Sequence, residues 1–278
     1  MKDRVQNSRS RRLEAFFSRH PVFTVNEIEQ FLKGHYSGNV HTRKALLTYY
    51  RNRGRIIPLR RGLYAVVPAG SDPATYPVDP FLIAAKLTDD AVLSYHTALE
   101  FYGKAYSTYQ TYTYSSCTKS TPFHFKSNWF LRVPVPKPLR EKKDSMFGVT
   151  IHKQAGIDVR VTTFERTFVD CLDRPEQTGS WEEIWRSLES IEFFDLDAVI
   201  AYVKLLDNAT TASKTGYFLE QHKTALLVED GYLETLQKMK PKQPHYMVRG
   251  NREGCRLVKS WNLLVPEELI HRSWSEVI

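Results

Sequence analysis

The sequence of 278 residues has little cysteine and no long apolar run. Its three cysteines, Cys117, Cys171 and Cys255, are an odd number at wide spacing, which suits neither a disulfide framework nor a zinc site. Nowhere do about 18 apolar residues follow one another, and the basic N-terminus has no apolar stretch of signal-peptide length. We therefore expect three free thiols that are buried or partly buried, no membrane span and a cytoplasmic location.

The motifs that most often accompany catalysis are also missing. The nine histidines never form the His-Glu-x-x-His spacing, and neither a Gly-x-x-x-x-Gly-Lys phosphate loop nor a Gly-x-Ser-x-Gly elbow occurs. The sequence therefore predicts no catalytic residue, no metal site and no cofactor.

Positive charge is concentrated in the first quarter of the chain. Residues 1–67 contain 14 Lys or Arg against 4 Asp or Glu, a net charge of +10, whereas residues 68–278 carry a net charge of −2. Within the latter, residues 158–236 hold 16 acids and 7 bases, a net charge of −9. This distribution indicates a cationic module that binds a polyanion, attached to a larger domain with a different function. A charged surface that only keeps the protein in solution is the alternative.

Residues 8–68 have the pattern of a winged helix-turn-helix. Apolar spacing predicts a first helix over residues 10–19, and Thr24 with Glu27 forms a capping box that opens a second. A third helix is predicted from Val40 to the region of Gly54, a residue type that suits a helix C-terminus. Two strands, at 56–59 and 63–67, then flank the tight turn Arg60-Arg61-Gly62. Three helices followed by a basic hairpin are the order of this DNA-binding motif.

One side of the third helix is small and polar, and we expect it to face DNA. The opposite side carries Val40, Leu46, Leu47 and Tyr50. The polar side would read bases in the major groove, while cations at the helix end and in the turn would neutralise phosphates. The candidate DNA-binding residues are Asn39, His41, Thr42, Arg43, Lys44, Thr48, Tyr49, Arg51, Arg53, Arg55, Arg60 and Arg61.

The remainder of the chain is predicted to form a second, larger domain. Residues 69–80 contain three prolines and no periodicity, which indicates a linker between a DNA-binding domain at 1–68 and a domain at 81–278. Short helices are predicted at 81–87 and 95–102, and alternation indicates strands at 109–114, 123–125, 128–133, 147–152 and 157–161. Ala155-Gly156 would turn the last pair into an antiparallel hairpin. Helices are predicted at 163–174, 181–191, 197–206 and 213–228. The fold class is therefore α+β: a winged helix-turn-helix, then a mixed α/β domain with an antiparallel sheet followed by helices.

Six residues of the second domain are candidates for a structural role. Ser94 would cap the helix that contains His96, and Thr162 with Glu165 would form a capping box. His96 lies among apolar residues, so a packed histidine is favoured over a general base. Glu165, Arg166 and Asp170 could be a catalytic acid and base, but a cap and an ion pair that tie helix to sheet are favoured.

The tyrosines Tyr106, Tyr109, Tyr112 and Tyr114 have two interpretations. They could stack on single-stranded bases, or they could occupy half-buried strand positions, which is the favoured interpretation.

Four segments occur in an order that resembles the AbiEi antitoxins of bacterial abortive-infection toxin–antitoxin systems. The most specific is the Glu-Arg-Thr-x-x-Asp element, and the similarity runs from about residue 10 to about residue 270. The segments are Arg-Arg-Gly-Leu-Tyr at 60–64, Leu-Ser-Tyr-His-Thr-Ala-Leu at 93–99 with Gly103, Val-Thr-Thr-Phe-Glu-Arg-Thr-Phe-Val-Asp-Cys-Leu at 161–172, and Gly-Tyr-Phe-Leu-Glu at 216–220.

The resemblance implies a repressor of its own operon that also counteracts a nucleotidyltransferase toxin. Its implied partners are double-stranded operator DNA, with inverted repeats, and the toxin, whether or not the two proteins touch. No enzymatic activity is expected of this chain. The alternative is a nuclease that uses the basic module as a tether, and cutting of plasmid DNA with a divalent metal would favour that alternative.

Overall fold

The computed structural model describes residues 2–35, 40–248 and 253–272, with the side chains of all of these except 2–10, 35 and 40–42. The N-terminal module is a winged helix-turn-helix, as predicted. Its three strands form an antiparallel sheet in the order β1-β3-β2, of which the short β1 was not predicted. Its elements are α1 (Lys2–Arg19), β1 (Val22–Thr24), α2 (Val25–His35), α3 (Val40–Asn52), β2 (Ile56–Arg60) and β3 (Leu63–Val66).

Local signals in the sequence set the ends of these elements. At the start of α2 the capping box is present: the Thr24 amide donates to Glu27 Oε2 at 2.7 Å, and the Glu27 amide donates to Thr24 Oγ1 at 3.3 Å. Beyond α3, Gly54 has a φ of +65°, the left-handed conformation that glycine adopts without a steric penalty. Aromatic and aliphatic side chains of all three helices, among them Phe17, Ile28 and Tyr50, fill the core of the module.

The body, from residue 80 onward, is built on a six-stranded sheet in the order β6-β7-β5-β4-β9-β8. The β8–β9 pair is antiparallel, as predicted, and Ala155 and Gly156 turn it with φ values of +47° and +83°. The sheet as a whole is mixed, however, because β5 pairs parallel with β7 and β4 pairs parallel with β9. Alternation of polar and apolar residues specifies a strand but not its direction, so the antiparallel expectation was wrong for these two pairs. The strands are β4 (Val92–Leu93), β5 (Thr111–Ser116), β6 (Phe123–Phe125), β7 (Asn128–Pro134), β8 (Val149–Gln154) and β9 (Ile157–Thr162).

Helices and a small second sheet complete the body. The helix predicted at 213–228 corresponds to α10, which begins and ends earlier in the chain, and neither α11 nor the C-terminal sheet in the order β10-β12-β11 was predicted. The elements are α4 (Pro80–Ala85), α5 (His96–Phe101), α6 (Lys137–Glu141), α7 (Phe164–Asp173), the 3-10 helix η1 (Pro175–Gln177), α8 (Trp181–Glu189), α9 (Leu196–Leu206), α10 (Ala209–Gln221), α11 (Asp230–Met239), β10 (His245–Tyr246), β11 (Cys255–Val258), β12 (Leu263–Pro266) and α12 (Glu267–His271).

Module and body share one apolar cluster. Val22, Leu63 and Ala65 of the module's sheet lie in the same cluster as Leu82 of α4 and Val159 of β9. The predicted linker at 69–80 is itself bonded to the body. Its Asp79 caps α4 by accepting from the Phe81 amide at 2.8 Å, and its Tyr76 carbonyl accepts from Lys126 at 2.7 Å. The boundary at 68 remains a prediction, and cutting the chain there would expose the apolar residues that the two parts share.

All three cysteines are free, as expected; Cys171 is buried and Cys255 is half-buried, but Cys117 is exposed, so the expectation of burial was wrong for this residue. Among the described residues, no helix is both long and apolar enough to cross a membrane.

A tryptophan fixes the C-terminal segment to the helical layer of the body. Trp261 is fully buried, donates from Nε1 to Glu220 at 2.8 Å, and packs directly on the backbone of α10 at Gly216. A Cβ placed at Gly216 would lie 2.2 Å from the Trp261 ring. The absence of a side chain at residue 216 therefore permits this contact.

Substitution of this glycine should destabilise the protein. We expect Gly216→Ala to lower the free energy of unfolding by about 1–3 kcal/mol, because the ring must shift within a packed core. Gly231→Ala is the matched control: Gly231 also lies in a helix, but a Cβ placed there would have no neighbouring atom within 4 Å. That control should raise stability by up to about 1 kcal/mol through helix propensity. Urea unfolding of both variants tests the contact, and equal effects of the two changes would contradict it.

Candidate nucleic-acid interface

The outer face of α3 is exposed, as the helical pattern predicts. Leu47 and Tyr50 are buried against the core of the module, whereas Lys44, Thr48 and Tyr49 face solvent. Tyr49 is 48% exposed, a large value for an aromatic side chain. Of the other candidates for base reading, Asn39 lies outside the described residues. His41 and Thr42 belong to α3, but their side chains lie outside the described part.

Two arginines extend this face, one in the last turn of α3 and one just after its end. Arg51 and Arg53 are exposed, and the Arg53 guanidinium lies 4.4 Å from the centroid of the Tyr49 ring. Stacking on an aromatic ring holds a guanidinium in a fixed direction without removing it from solvent. Lys44, Thr48, Tyr49, Arg51 and Arg53 thus form a continuous polar surface with no acid among them.

Two other cations of the candidate set are engaged inside the module. Arg43 forms an ion pair with Glu29 of α2. Arg55 forms an ion pair with Glu14 of α1, with Nη2 and Oε2 2.6 Å apart, and its Nη1 donates to the Val67 carbonyl. Arg55 therefore joins α1 to the end of the hairpin.

The wing turn, Arg60-Arg61-Gly62, is docked on the body. Arg60 donates from Nη2 to the Leu87 carbonyl and lies 3.4 Å from Ser120 Oγ. A second tie lies beside it, where Lys86 forms an ion pair with Glu27. Burial alone would raise the pKa of Glu27, but the bonds from Lys86 and Thr24 lower it below its ordinary value. Arg61 is exposed, so in this turn the two arginines have different environments.

The Glu-Arg-Thr-x-x-Asp element forms a buried polar network in the body. Arg166 and Asp170 are each 1% exposed, with Nε and Oδ2 3.3 Å apart. Arg166 also donates to the Phe147 carbonyl at 2.7 Å, and Asp170 accepts from the Tyr202 hydroxyl at 2.6 Å. The two buried charges compensate each other. Their further bonds tie α7 to the loop before β8 and to α9. A structural role is thus what the contacts support.

The helix caps predicted at Thr162 and at Ser94 are both wrong by one residue. α7 is capped by Thr163, which accepts from the Arg166 amide at 3.4 Å. Thr162 instead pairs with Thr167, with hydroxyl oxygens 2.7 Å apart, and Glu165 accepts from the Asp195 amide at 3.1 Å. Two adjacent threonines offer two possible caps, and the choice depends on β9, whose last residue is Thr162.

Ser94 is not a helix cap either. It is buried and accepts a bond from Ser115 Oγ at 2.9 Å, and the N-cap position of α5 belongs to Tyr95, which has a φ of +57°. The capping pattern of the sequence does not reveal the strained backbone at this residue.

His96 is a packed histidine, as expected. Its ring stacks on Tyr109 at 3.9 Å, and Nε2 lies 3.1 Å from Glu183 Oε1. Burial lowers its pKa, which keeps the ring neutral at pH 7, so that Nε2 donates to Glu183 and Nδ1 is left as an acceptor. Nδ1 and the nearby Glu100 Oε2, 3.9 Å away, are both buried without a hydrogen bond.

The tyrosine series divides between two environments. Tyr114 is buried and Tyr112 is half-buried on β5, which favours strand packing for these two. Tyr109 lies before β5, and not in the strand as predicted, and it stacks on His96. Tyr106 is 56% exposed and lies 4.7 Å from the Arg186 guanidinium. In the described parts of the chain, no group of three His, Cys, Asp or Glu side chains could hold a metal ion.

A comparison with protein families supports the winged-helix module. Residues 11–67 match the AbiEi antitoxin transcriptional regulators. The AbiEi resemblance predicted from the sequence is thereby confirmed for this segment, which contains every candidate DNA-binding residue. A search of curated proteins found no match.

Solved structures extend the likeness to the fold of the whole chain. The RV2827C protein of Mycobacterium tuberculosis matches with a TM-score of 0.56, over 96% of this chain and 94% of that chain. The two sequences are 14% identical, so the likeness concerns the fold alone. The fold of module and body together therefore resembles that of one solved structure.

The pair of unsatisfied acceptors at His96 gives a test of this buried cluster. Burial raises the pKa of Glu100, so the folded state is penalised once this carboxyl ionises. Such a group stabilises the folded state fully at pH values below its pKa in the unfolded chain. This stabilisation is lost as the pH rises through the pKa in the folded protein. In Glu100→Gln, the amide oxygen can still accept from the Tyr109 amide, while the amide nitrogen can donate to His96 Nδ1.

We expect Glu100→Gln to raise the free energy of unfolding by about 1 kcal/mol at pH 8. The gain should shrink as pH falls toward 4, where the wild-type carboxyl is itself protonated. Denaturant unfolding at several pH values measures this difference. A loss of stability at pH 8 would show that the Glu100 carboxylate is needed in its charged form.

Proposed function

We propose that this protein is a DNA-binding transcriptional repressor of its own toxin–antitoxin operon and the antitoxin of a nucleotidyltransferase toxin. The observation that carries the first part is the acid-free outer face of α3, which lies within the segment that matches AbiEi regulators. An exposed helix face of this kind suits a major groove, and cations at its margin suit the flanking phosphates.

Burial and ion pairs suggest separate roles for the candidate residues. Asn39, His41, Thr42, Thr48 and Tyr49 would read bases, and the operator would be a duplex with inverted repeats. The exposed cations Lys44, Arg51, Arg53 and Arg61 would contact phosphates. Arg43, Arg55 and Arg60 would hold α3 and the wing turn in place, because their guanidiniums already bond to protein groups.

The salt dependence of binding tests this division. Four phosphate contacts predict that log affinity falls with log salt at a slope of about −4, and Arg51→Ala or Arg61→Ala should each flatten the slope by about 0.9. Tyr49→Ala should instead reduce the discrimination between operator and random DNA, by about 1–3 kcal/mol if one base contact is lost. Fluorescence anisotropy at several salt concentrations measures both quantities.

Arg55→Ala is the internal comparison. It should lower thermal stability, because Glu14 and the Val67 carbonyl lose their partner, while its effect on the salt slope stays small. The roles would have to be reassigned if Arg55→Ala flattened the slope as much as Arg61→Ala.

The second part of the proposal, antitoxicity, is supported by an exposed apolar surface on the helical layer. Phe193 and Leu227 are 74% and 82% exposed, and each lies three residues before a helix, α9 or α11. The starts of these helices are adjacent, because the Tyr232 hydroxyl donates to Asp197 at 3.1 Å. Exposed acids flank both residues in the chain, and two of them are paired, Glu192 with Lys104 and Asp230 with Lys223. We name the set the acidic-rimmed patch: Phe193 and Leu227 with Glu192, Asp195, Asp197, Glu229 and Asp230.

Folding does not account for the two apolar residues of this patch. Leu227 has a φ of +52°, a conformation that costs a leucine about 1–2 kcal/mol and that asparagine or glycine adopts more readily. Neither side chain gains burial in return. Exposed apolar residues with a polar rim mark protein interaction sites, and the acidic rim suits a basic partner. A nucleotidyltransferase suits this description, because its nucleotide substrate carries negative phosphates that a basic surface attracts.

A double variant separates this surface from the DNA-binding module. We expect Phe193→Ser with Leu227→Asn to leave DNA binding unchanged and to keep or slightly raise thermal stability. Growth rescue of cells that express the cognate toxin should be lost. Full rescue by the double variant would mean that neutralisation does not use the acidic-rimmed patch.

A further inference from the structure

We infer that the DNA-contacting surface continues from the wing turn onto the body, through the loop at residues 117–122. This inference rests on the proposed function and adds a second site to it. Its ligand is the phosphate backbone of the duplex that the module binds, and its central residue is Lys119.

The first observation is the position of the loop. Arg60 of the wing turn lies 3.4 Å from Ser120 Oγ, and Arg60 is fixed there by its bond to the Leu87 carbonyl. The exposed Arg61 is its direct neighbour in the chain. A phosphate bound at Arg61 therefore lies beside residues of the body. Each DNA strand carries one phosphate for about every 3.4 Å along the helix axis. A lysine on the neighbouring loop can therefore reach a phosphate next to the one at Arg61.

The second observation is that the loop is held in shape. Asp90 accepts bonds from the Cys117 and Thr118 amides at 2.7 and 3.3 Å, and from Ser116 Oγ at 2.6 Å. Burial alone would raise the pKa of Asp90, yet these bonds lower it. This carboxylate is thus occupied by the loop, and a loop fixed in this way can present a cation without a large loss of entropy on binding.

The third observation is charge. Residues 101–140 contain six Lys or Arg and no Asp or Glu. Arg132 donates to the Ser116 carbonyl at 3.2 Å, at the start of the loop, and Lys119 and Thr121 are exposed. The acids near the turn are Glu27, which is paired with Lys86, and Asp89, which lines the cleft beside Arg61. The cations Arg60, Arg61, Lys119 and Arg132 therefore give this side of the molecule an excess of positive charge.

The test uses the full-length protein and a duplex of mixed sequence of about 30 base pairs, which probes phosphate contacts without base reading. We expect Lys119→Ala to flatten the salt slope by about 0.9 and to weaken binding roughly eightfold at about 0.1 M salt. Lys119→Glu should weaken it further. Lys204→Ala is the matched control, because Lys204 is an exposed lysine on α9, in the acidic part of the body.

The outcomes separate this inference from the proposed function. If Arg61→Ala weakens binding while Lys119→Ala behaves as Lys204→Ala does, the module binds DNA but the loop does not, and the inference is overturned. If neither Arg61→Ala nor Arg51→Ala changes binding, or the wild-type protein does not bind, the proposed DNA-binding function fails as well. A flatter slope for Lys119→Ala but not for Lys204→Ala supports the loop contact.

Discussion

The apolar cluster shared by the winged helix and the body is the contact on which the arrangement of the molecule depends. Val22, Leu63 and Ala65 pack in it with residues of α4 and β9. Protein interiors are close-packed, so a module held in this way cannot turn as it would on a free linker. The position of α3 relative to the body, and the contact of the wing turn with residues 87 and 120, follow from this packing.

The acids of the module show how its outer face keeps a single sign. Among the described side chains of residues 11–67 there are three acids, and all are paired: Glu14 with Arg55, Glu29 with Arg43, and Glu27 with Lys86 of the body. The cations that remain exposed on α3 therefore have no unpaired carboxylate among the described side chains of the module to compete with a phosphate, and at the wing turn the acid that lines the cleft beside Arg61 is Asp89 of the body. Ion pairs near a surface contribute little to stability, so their main effect here is to arrange the charge.

Local signals predicted the module well and the body in part. The capping box at Thr24, the glycine after α3 and the apolar face with Leu47 and Tyr50 depend on residues a few positions apart, and all were found where the sequence indicated. The separate roles of Arg55 and Arg60 could not be predicted, because their partners lie 41 and 27 residues away in the chain. The parallel strand pairs and the cap at Thr163 likewise depend on tertiary contacts that a single sequence does not specify.

The opposite charges of the module and the helical layer bear on how two partners could bind one chain. Charges separated by more than about 10 Å are screened at ordinary salt, so the acidic layer would repel DNA only at close range. Coupling between a duplex on the module and a protein on the acidic-rimmed patch would therefore have to be mechanical. It would pass through the contacts between module and body, which include the shared apolar cluster, the bonds of Arg60 and the Lys86–Glu27 ion pair. A partner that leaves this cluster intact should change the affinity for DNA little, and one that separates module from body would weaken DNA binding and, by reciprocity, be displaced by DNA.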